Sequence, residues 1–453
     1  MPKNVLLITI DSYRADHFRP LTSLTHSIEY PPESPTLESV YEEGTSFTDA
    51  YTTGPGTSPS FPALLTGTLP LSYGGLGPLK PDRPRLSKEL GKFGLETAGF
   101  QCNPFLSRHF DYDQGYDEFT DYQNPLMGVA TRIFPRGIEI SNPKLNKVDD
   151  VLHITAAIKK SYQLIKGKPR PYVSAEVITD DTVEWLSGTD QPFFCWTHYM
   201  DVHHPCYPPE QYRKRYDVED VTQSQVSEWY SSLLREPEAL TKSEIESLKQ
   251  LYSAAIEYTD GQIGRIIDLL KNEDRYEDTL VIITSDHGEL FGEHGQYGKP
   301  ERMYDELLHV PLIVANGPDY LENDANDLVS LLDIPPMIHD VLGFDIPEEY
   351  EGRRPKIDEP REYILAEHEV DGEVIVGARS RNWLYEGDEI HDEHRLFDLR
   401  DGDFEQVPVS EHPDLLEKKV VLNRLRELDV DTRRLEDEVE GDVQSRLEDL
   451  GYL

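Results

Sequence analysis

Four short apolar runs each deliver the chain into polar residues, and this pattern restricts the fold more than any other feature. Residues 5–10 (VLLITI) end in Asp11, and residues 97–102 end in Asn103. Residues 193–200 end in Asp201, His203 and His204, and residues 280–284 end in Ser285, Asp286 and His287. Continuous apolar runs of this length, rich in β-branched and aromatic residues, read as strands buried on both faces. Amphipathic helical stretches alternate with them at 86–93, 243–270 and 328–342. Strand–helix alternation predicts an α/β fold with a mostly parallel sheet sandwiched by helices. In such sheets ligands bind outside the carboxyl ends of the strands. Asp and His gathered at neighbouring strand ends suit a hard or borderline divalent cation.

A second feature is residues 52–67, TTGPGTSPSFPALLTG. Gly and Pro mark a loop, and 61–66 reads as the helix that follows it. Thr57 and Ser58 stand where a helix N-cap belongs, with Pro59 in the first turn. The structural reading is a capped helix start. The chemical reading places a hydroxyl at the positive end of a helix dipole, where an attacking oxygen and an anionic ester are both favoured.

From about residue 355 the texture changes. Residues 363–366, 373–378, 383–386 and 394–399 read as short strands of an antiparallel meander, followed by a charged helical tail over 413–450. The expected organisation is a main α/β domain over 1–354 and a smaller α+β subdomain over 355–453. Residues 125–175 read as an insertion with one helix. Asp260 reads as a helix anchor, His294 as a loop histidine, and Glu289 and Glu293 as surface acids.

Charge narrows the partners. The chain has 44 Lys+Arg against 86 Asp+Glu, a formal net charge of −42. Such a balance leaves nothing to neutralise phosphates in bulk, so neither nucleic acid nor an anionic membrane surface is an expected partner. The acids are spread along the chain, as in a salt-adapted cytoplasmic protein whose self-repulsion is screened. An acidic surface built for a basic partner is the alternative. The three cysteines, Cys102, Cys195 and Cys206, have no disulfide or zinc spacing. The N-terminal apolar run is too short for a signal peptide or a span, and no later run reaches about eighteen apolar residues. A cytoplasmic location is the expectation, with the oligomeric state open.

The motifs now combine. ITIDSYRAD, SPSFPALLTG, the Asp201-x-His203-x-Pro205 run and TSDHGELFGEHG, in this order, resemble the sulfatase branch of the alkaline phosphatase superfamily. Lys299, the PLIV run at 311–314 and LFDLRDGDFE at 396–405 extend the resemblance over nearly the whole chain. The resemblance implies an alkaline-phosphatase-like fold and a metal-dependent ester hydrolase. It implies Asp11, Asp286 and His287 as metal ligands, His203 facing the leaving group and Lys299 on the sulfate or phosphate oxygens. It puts Thr57 at the nucleophile position. One divalent ion is implied, Ca²⁺ by family, with Mg²⁺ or Mn²⁺ as alternatives. Asn103, Asp201, His204 and Ser60 are further candidates for substrate contact; His204 also reads as a loop cap.

The chain departs from the family pattern in ways that bear on chemistry. The family carries C-x-P-S-R or S-x-P-S-R, whose first residue becomes formylglycine; here the run is Thr57-Ser58-Pro59-Ser60-Phe61. Oxidation of Thr would give a ketone, and Phe61 replaces the Arg. Ser12 stands where many members carry a second acidic ligand, and Asn103 lies where many carry a Lys-x-His pair. A formylglycine hydrate releases sulfate by reforming its aldehyde. A Thr ester cannot do so and must be attacked by water at sulfur or phosphorus. Three functions follow: a hydrolase of sulfate or phosphate esters acting on a small molecule or saccharide, a phosphodiesterase or phosphoryl transferase using Thr57, or an inactive binding protein.

Overall fold

The computed structural model describes residues 2–22, 28–122, 172–318, 321, 328–354, 361–370, 373–388, 393–400 and 404–428. Among them a seven-stranded sheet runs in the order β2-β10-β7-β1-β6-β4-β5. These strands are β1 (Asn4–Ile10), β2 (Thr45–Phe47), β4 (Glu96–Phe100), β5 (Glu118–Thr120), β6 (Phe193–Tyr199), β7 (Thr279–Ser285) and β10 (Leu312–Ala315). Parallel pairing joins β7, β1, β6, β4 and β5, while β10 runs antiparallel to β7 and β2. All seven residues of β1, β6 and β7 are buried, as unbroken apolar runs require.

Alternation along β1 splits the core. Leu6, Ile8 and Ile10 pack with the helices Lys242–Asn272, Ala175–Gly188 and Pro35–Glu43 on one face. Val5 and Leu7 pack with Thr57–Thr66, Leu86–Lys92 and Ile334–Leu342 on the other. The sheet is therefore covered on both sides, and its carboxyl edge is left to carry the site.

The C-terminal subdomain is an antiparallel meander of β12 (Ile364–Val370), β13 (Glu373–Arg379), β14 (Trp383–Asp388), β15 (Glu393–Asp398) and β16 (Glu405–Val407). The helix Leu416–Glu427 lies on it through Val421 and Leu425. The subdomain grips the sheet domain near the loop at 52–56: Glu367 N–H donates to Thr53 O at 2.7 Å. Arg379 pairs with Asp305 across the same junction, and Arg424 pairs with the buried Glu367 inside the subdomain.

Two expectations change in detail. The stretch 328–342 is not one helix: Leu328–Ser330 forms β11, paired in parallel with β3 (Asp49–Tyr51), before the helix Ile334–Leu342. Ser330 and Asp333 cap the break reciprocally, and Pro335 and Pro336 fit only the start of the new helix. The helix after the nucleophile loop begins at Thr57 itself, with Gly56 as N-cap and no side-chain cap. The insertion expected at 125–175 and the tail beyond Leu428 lie almost wholly outside the described residues.

Candidate active site

Parallel pairing brings the four polar strand ends together. Asp11 follows β1, Asn103 follows β4, His203 follows β6, and Asp286 and His287 follow β7; all five are buried. His287 Nε2 stands 3.6 Å from Asp11 Oδ1 and 3.5 Å from Asp286 Oδ2. One donor atom from each of these three residues lies within 4.8 Å of the other two. His287 Nδ1 is 2.8 Å from Gly288 O, so Nδ1–H donates there and the Nε2 lone pair faces the carboxylates. Two carboxylates and a neutral imidazole fit a divalent cation. Among the described residues Asp286 Oδ2 has no hydrogen-bond partner, a cost a bound cation would relieve.

Electrostatics point the same way. Burial, then the neighbouring Asp11 charge, pushes the Asp286 carboxyl well above its ordinary range. Burial also works against Asp11, but His203, the His198 contact, His287 and Lys299 together hold it well below that range. Two buried carboxylates that repel one another share one neutralising charge until a cation supplies more. Burial, then Lys299, pushes His287 down to about 3, which keeps its lone pair free.

Thr57 opens its helix beside this cluster. Its Oγ1 lies 3.4 Å from both His287 Nε2 and Asn103 Nδ2. The loop before it is tight: a Cβ at Gly54 would fall 2.4 Å from Pro59 and 2.8 Å from Glu367 O. Ser60 Oγ lies 2.7 Å from Gly56 O, 3.0 Å from Gly54 O and 2.7 Å from Thr52 Oγ1. Ser60 thus holds the loop's shape.

Asn103 bridges two site residues. Its Nδ2 is 2.9 Å from Asp11 Oδ2, and its Oδ1 accepts Phe105 N–H at 3.0 Å, which fixes the amide's orientation. His203 Nδ1–H donates to His204 O at 2.6 Å, and its Nε2 accepts from Lys299 Nζ at 2.6 Å. Burial, then Lys299, drives the His203 ring well below its ordinary pKa.

Two further candidates sit farther back. Asp201 Oδ2 accepts Ala175 N–H at 2.6 Å and so anchors the start of the Ala175–Gly188 helix. His204 stacks on Tyr230 with centroids 4.4 Å apart, and burial pushes it down to about 3. Asp260 does anchor a helix: its carboxylate accepts Thr36 N–H and Leu37 N–H at the start of Pro35–Glu43.

The structure corrects one expectation about charge. Glu289 and Glu293 are not free surface acids. Glu289 is fully buried and accepts from Tyr230 Oη at 2.7 Å. Glu293 accepts from Arg14 Nη1 at 2.7 Å. Arg14 also donates to Glu289 O at 2.8 Å and to Asp16, so it clamps the β1 tip to the loop after β7. Ser12, in left-handed backbone at φ 61°, donates from Oγ to Asp11 Oδ1 at 2.9 Å and from N–H to Asp286 Oδ1 at 3.2 Å. Sequence reasoning missed Arg14 and, more importantly, His198, whose Nε2 lies 3.3 Å from Asp11 Oδ2. The available signal was a polar residue inside an otherwise apolar strand.

With this fold and this cluster, the comparisons are unambiguous about class. The chain belongs to the sulfatase family, whose model, described as Sulfatase, matches residues 3–344. Arylsulfatase K of Canis lupus familiaris is 28% identical over 351 residues, which span 70% of this chain and 60% of that relative. An arylsulfatase of Clostridium perfringens is 24% identical over 81% of this chain and 82% of its own. The chain spans 60%, 64% and 62% of the arylsulfatase K relatives of dog, cattle and mouse. Among solved structures, the phosphonate monoester hydrolase of Silicibacter pomeroyi superposes with TM-score 0.67 at 21% identity, covering 94% of each chain. A protein solved with its substrate D-glucosamine-2-N,6-O-disulfate superposes with TM-score 0.68 at 15% identity, covering 94% of this chain and 97% of that one. The structural likenesses establish the alkaline-phosphatase-like fold.

Proposed function

We propose that this chain is a metal-dependent hydrolase of a sulfate or phosphate ester, with Thr57 as the attacking group. The observation that carries this reading is the placement of Thr57 Oγ1. It lies 3.4 Å from His287 Nε2 and 3.4 Å from Asn103 Nδ2, on the first residue of an uncapped helix. Asp11, Asp286 and His287 would hold one divalent cation, Ca²⁺ by family resemblance, with Mg²⁺ or Mn²⁺ as alternatives. When bound, that cation supplies Lewis-acid stabilisation of the ester oxygens and favours ionisation of a hydroxyl.

The chain's own groups account for the remaining roles. The Thr57 hydroxyl, beside His287 Nε2 and Asn103 Nδ2, gives up its proton to solvent as it attacks. Thr57 Oγ1 attacks sulfur or phosphorus in line, and the bond to the leaving-group oxygen breaks with its electron pair. The helix N-terminus and the Asn103 amide meet the charge on the equatorial oxygens. The His203–Lys299 pair, two basic nitrogens sharing a proton, hands that proton to the leaving group. Water then cleaves the Thr57 ester and returns the hydroxyl.

Phosphorus is a reasonable centre because a Thr ester has no aldehyde to reform, and a phosphonate monoester hydrolase shares the fold. A saccharide ester is a reasonable substrate because a fold relative was solved with a sulfated glucosamine. We take 1–354 as the catalytic unit and 355–453 as the C-terminal one. We place the protein in the cytoplasm of a salt-adapted cell. The diffuse acidity and three buried free thiols support this. Among the described residues no helix is long and apolar enough to cross a membrane.

The test is a paired assay in high salt on aryl sulfate, aryl phosphate and bis-aryl phosphate, with and without chelator, beside Thr57→Ala. Chelator-sensitive turnover lost in Thr57→Ala supports the reading, and the preferred ester identifies the branch. Turnover raised by an added acceptor alcohol would favour a transferase. Absence of both turnover and bound metal would sink the enzyme reading.

A further inference from the structure

We propose that His198 is a positioning residue for the metal ligand Asp11, held in one tautomer by Thr9. The proposal rests on the metal-site reading above. It begins with register: in the parallel pairing of β1 and β6, Thr9 lies opposite His198 and Leu7 opposite Trp196. Period-two alternation therefore puts Thr9, Trp196 and His198 on the same face of the sheet. All three are fully buried.

Hydrogen accounting then fixes the imidazole. Trp196 Nε1, which can only donate, points at Thr9 Oγ1 from 3.0 Å. Thr9 Oγ1 lies 2.9 Å from His198 Nδ1. Among the described residues Thr9 Oγ1 has no other acceptor within reach, so its proton goes to Nδ1, and the ring carries its own proton on Nε2. That Nε2–H faces Asp11 Oδ2 at 3.3 Å. Among the described residues His198 Nε2 forms no hydrogen bond of good geometry, and its contact with Asp11 Oδ2 is an ion-pair-range approach. Phe61, the residue in place of the family's Arg, stands edge-on to the ring at 5.1 Å and 87°. The ring is thus fixed by a hydroxyl on one side and an aromatic edge on the other.

The consequence falls on Asp11. Its Oδ2 faces Asn103 Nδ2 at 2.9 Å and His198 Nε2 at 3.3 Å, while its Oδ1 faces His287 Nε2 at 3.6 Å. Oδ2 is thus taken by Asn103 and faced by His198, while Oδ1, which also accepts from Ser12 Oγ at 2.9 Å, is presented to the cluster. Groups that orient a ligand in this way typically contribute 10–100-fold in metal affinity.

The test uses the full-length, chelator-stripped protein in high salt. Ca²⁺ and Mn²⁺ are titrated calorimetrically into wild type, His198→Phe, His198→Gln and Thr9→Val, with metal-free melting measured for each. Gln presents an N–H near the Nε2 position, and Val keeps the shape of Thr without its hydroxyl. The expected result is ~10–100-fold weaker binding in His198→Phe and Thr9→Val, with His198→Gln close to wild type. ¹⁵N shifts of the His198 ring should report an Nε2–H tautomer in wild type and its loss in Thr9→Val. Equal affinities in all variants would overturn the proposal alone, as would a parallel fall of His198→Gln and His198→Phe. If His198→Phe does not fold, Thr9→Val and His198→Gln decide by the same criteria. A wild type that binds neither ion removes the metal reading and this proposal together.

Discussion

Lys299 Nζ stands 2.6 Å from His203 Nε2, although 96 residues of chain separate them. The ammonium donates into the ring's only free lone pair, because His203 Nδ1–H is already given to His204 O. In the proposed mechanism the pair acts as a single proton donor. Lys299→Met and His203→Gln should therefore each lower turnover ~10²–10⁴-fold. The loss should shrink for esters whose leaving group needs no proton, such as nitrophenolates, and grow for alkyl leaving groups. A loss independent of leaving group would move the pair from proton donation to oxygen binding.

Thr57→Ser should keep measurable turnover, since it retains a hydroxyl at the start of the same helix, whereas Thr57→Ala should lose it. The comparison separates an attacking hydroxyl from one that only packs. If Thr57→Ala hydrolyses as fast as wild type, water is the nucleophile. Trapping a covalently modified Thr57 by mass spectrometry after rapid acid quench gives an independent check.

The metal cluster should couple to stability. Asp286 is pushed up because its buried charge is uncompensated, so a cation favours the folded chain. At a concentration 100 times its Kd, a ligand bound only by the folded state adds about 2.7 kcal/mol. Thermal melting with Ca²⁺ and with chelator should differ accordingly, and Asp286→Asn should narrow the gap. An unchanged melting temperature across both conditions would falsify tight binding at this site.

Acid should destabilise the metal-free protein well above the carboxylate range. Burial holds His287 and His204 down to about 3. Above the unfolded value near 6.5 both states are neutral and no pH dependence arises. As pH falls below it, the unfolded chain takes up protons that the folded chain refuses, so stability drops. The slope is about 1.4 kcal/mol per pH unit for each histidine until pH nears the folded values. Urea midpoints between pH 7.5 and 4.5 should fall more steeply in wild type than in His204→Gln. Coincident slopes would mean that His204 protonates freely in the fold.

The C-terminal subdomain should contribute to the site through Glu367. This fully buried carboxylate bonds Arg424 and Leu71 N–H, and its own backbone N–H holds Thr53 O in the nucleophile loop. Arg424→Ala leaves the charge buried without its main partner, at a cost of about 3–5 kcal/mol. Chemical denaturation measures this directly. Arg424→Ala paired with Glu367→Gln should recover part of the loss, because the orphaned charge is then gone.

Much of this was written in the chain. Long apolar runs with β-branched residues can only be buried strands, and polar residues at their ends must gather where parallel strands finish. Asp11, Asn103, His203, Asp286 and His287 were legible for that reason, and Lys299 and Thr57 through the resemblance. The meander was legible because its short alternating runs match the two-residue period of a sheet. The stretch 328–342 misled because an apolar run with helical spacing also contains a short strand, and only pairing with Asp49–Tyr51 separates the two. Gly56 took the cap because backbone conformation, not side-chain preference, set where the helix begins. Ser60, Asp201 and Asp260 are polar residues whose partners are backbone groups of their own loop or of other segments. His198 differs from them in meeting side chains, Thr9 Oγ1 and Asp11 Oδ2, across the sheet. The sequence by itself determined which segments are strands and which polar residues end them, since burial and period are local properties. Only the tertiary structure decided that Thr9 faces His198, and that His198 faces Asp11, because side chains meet across a sheet by register, and register belongs to the packed sheet.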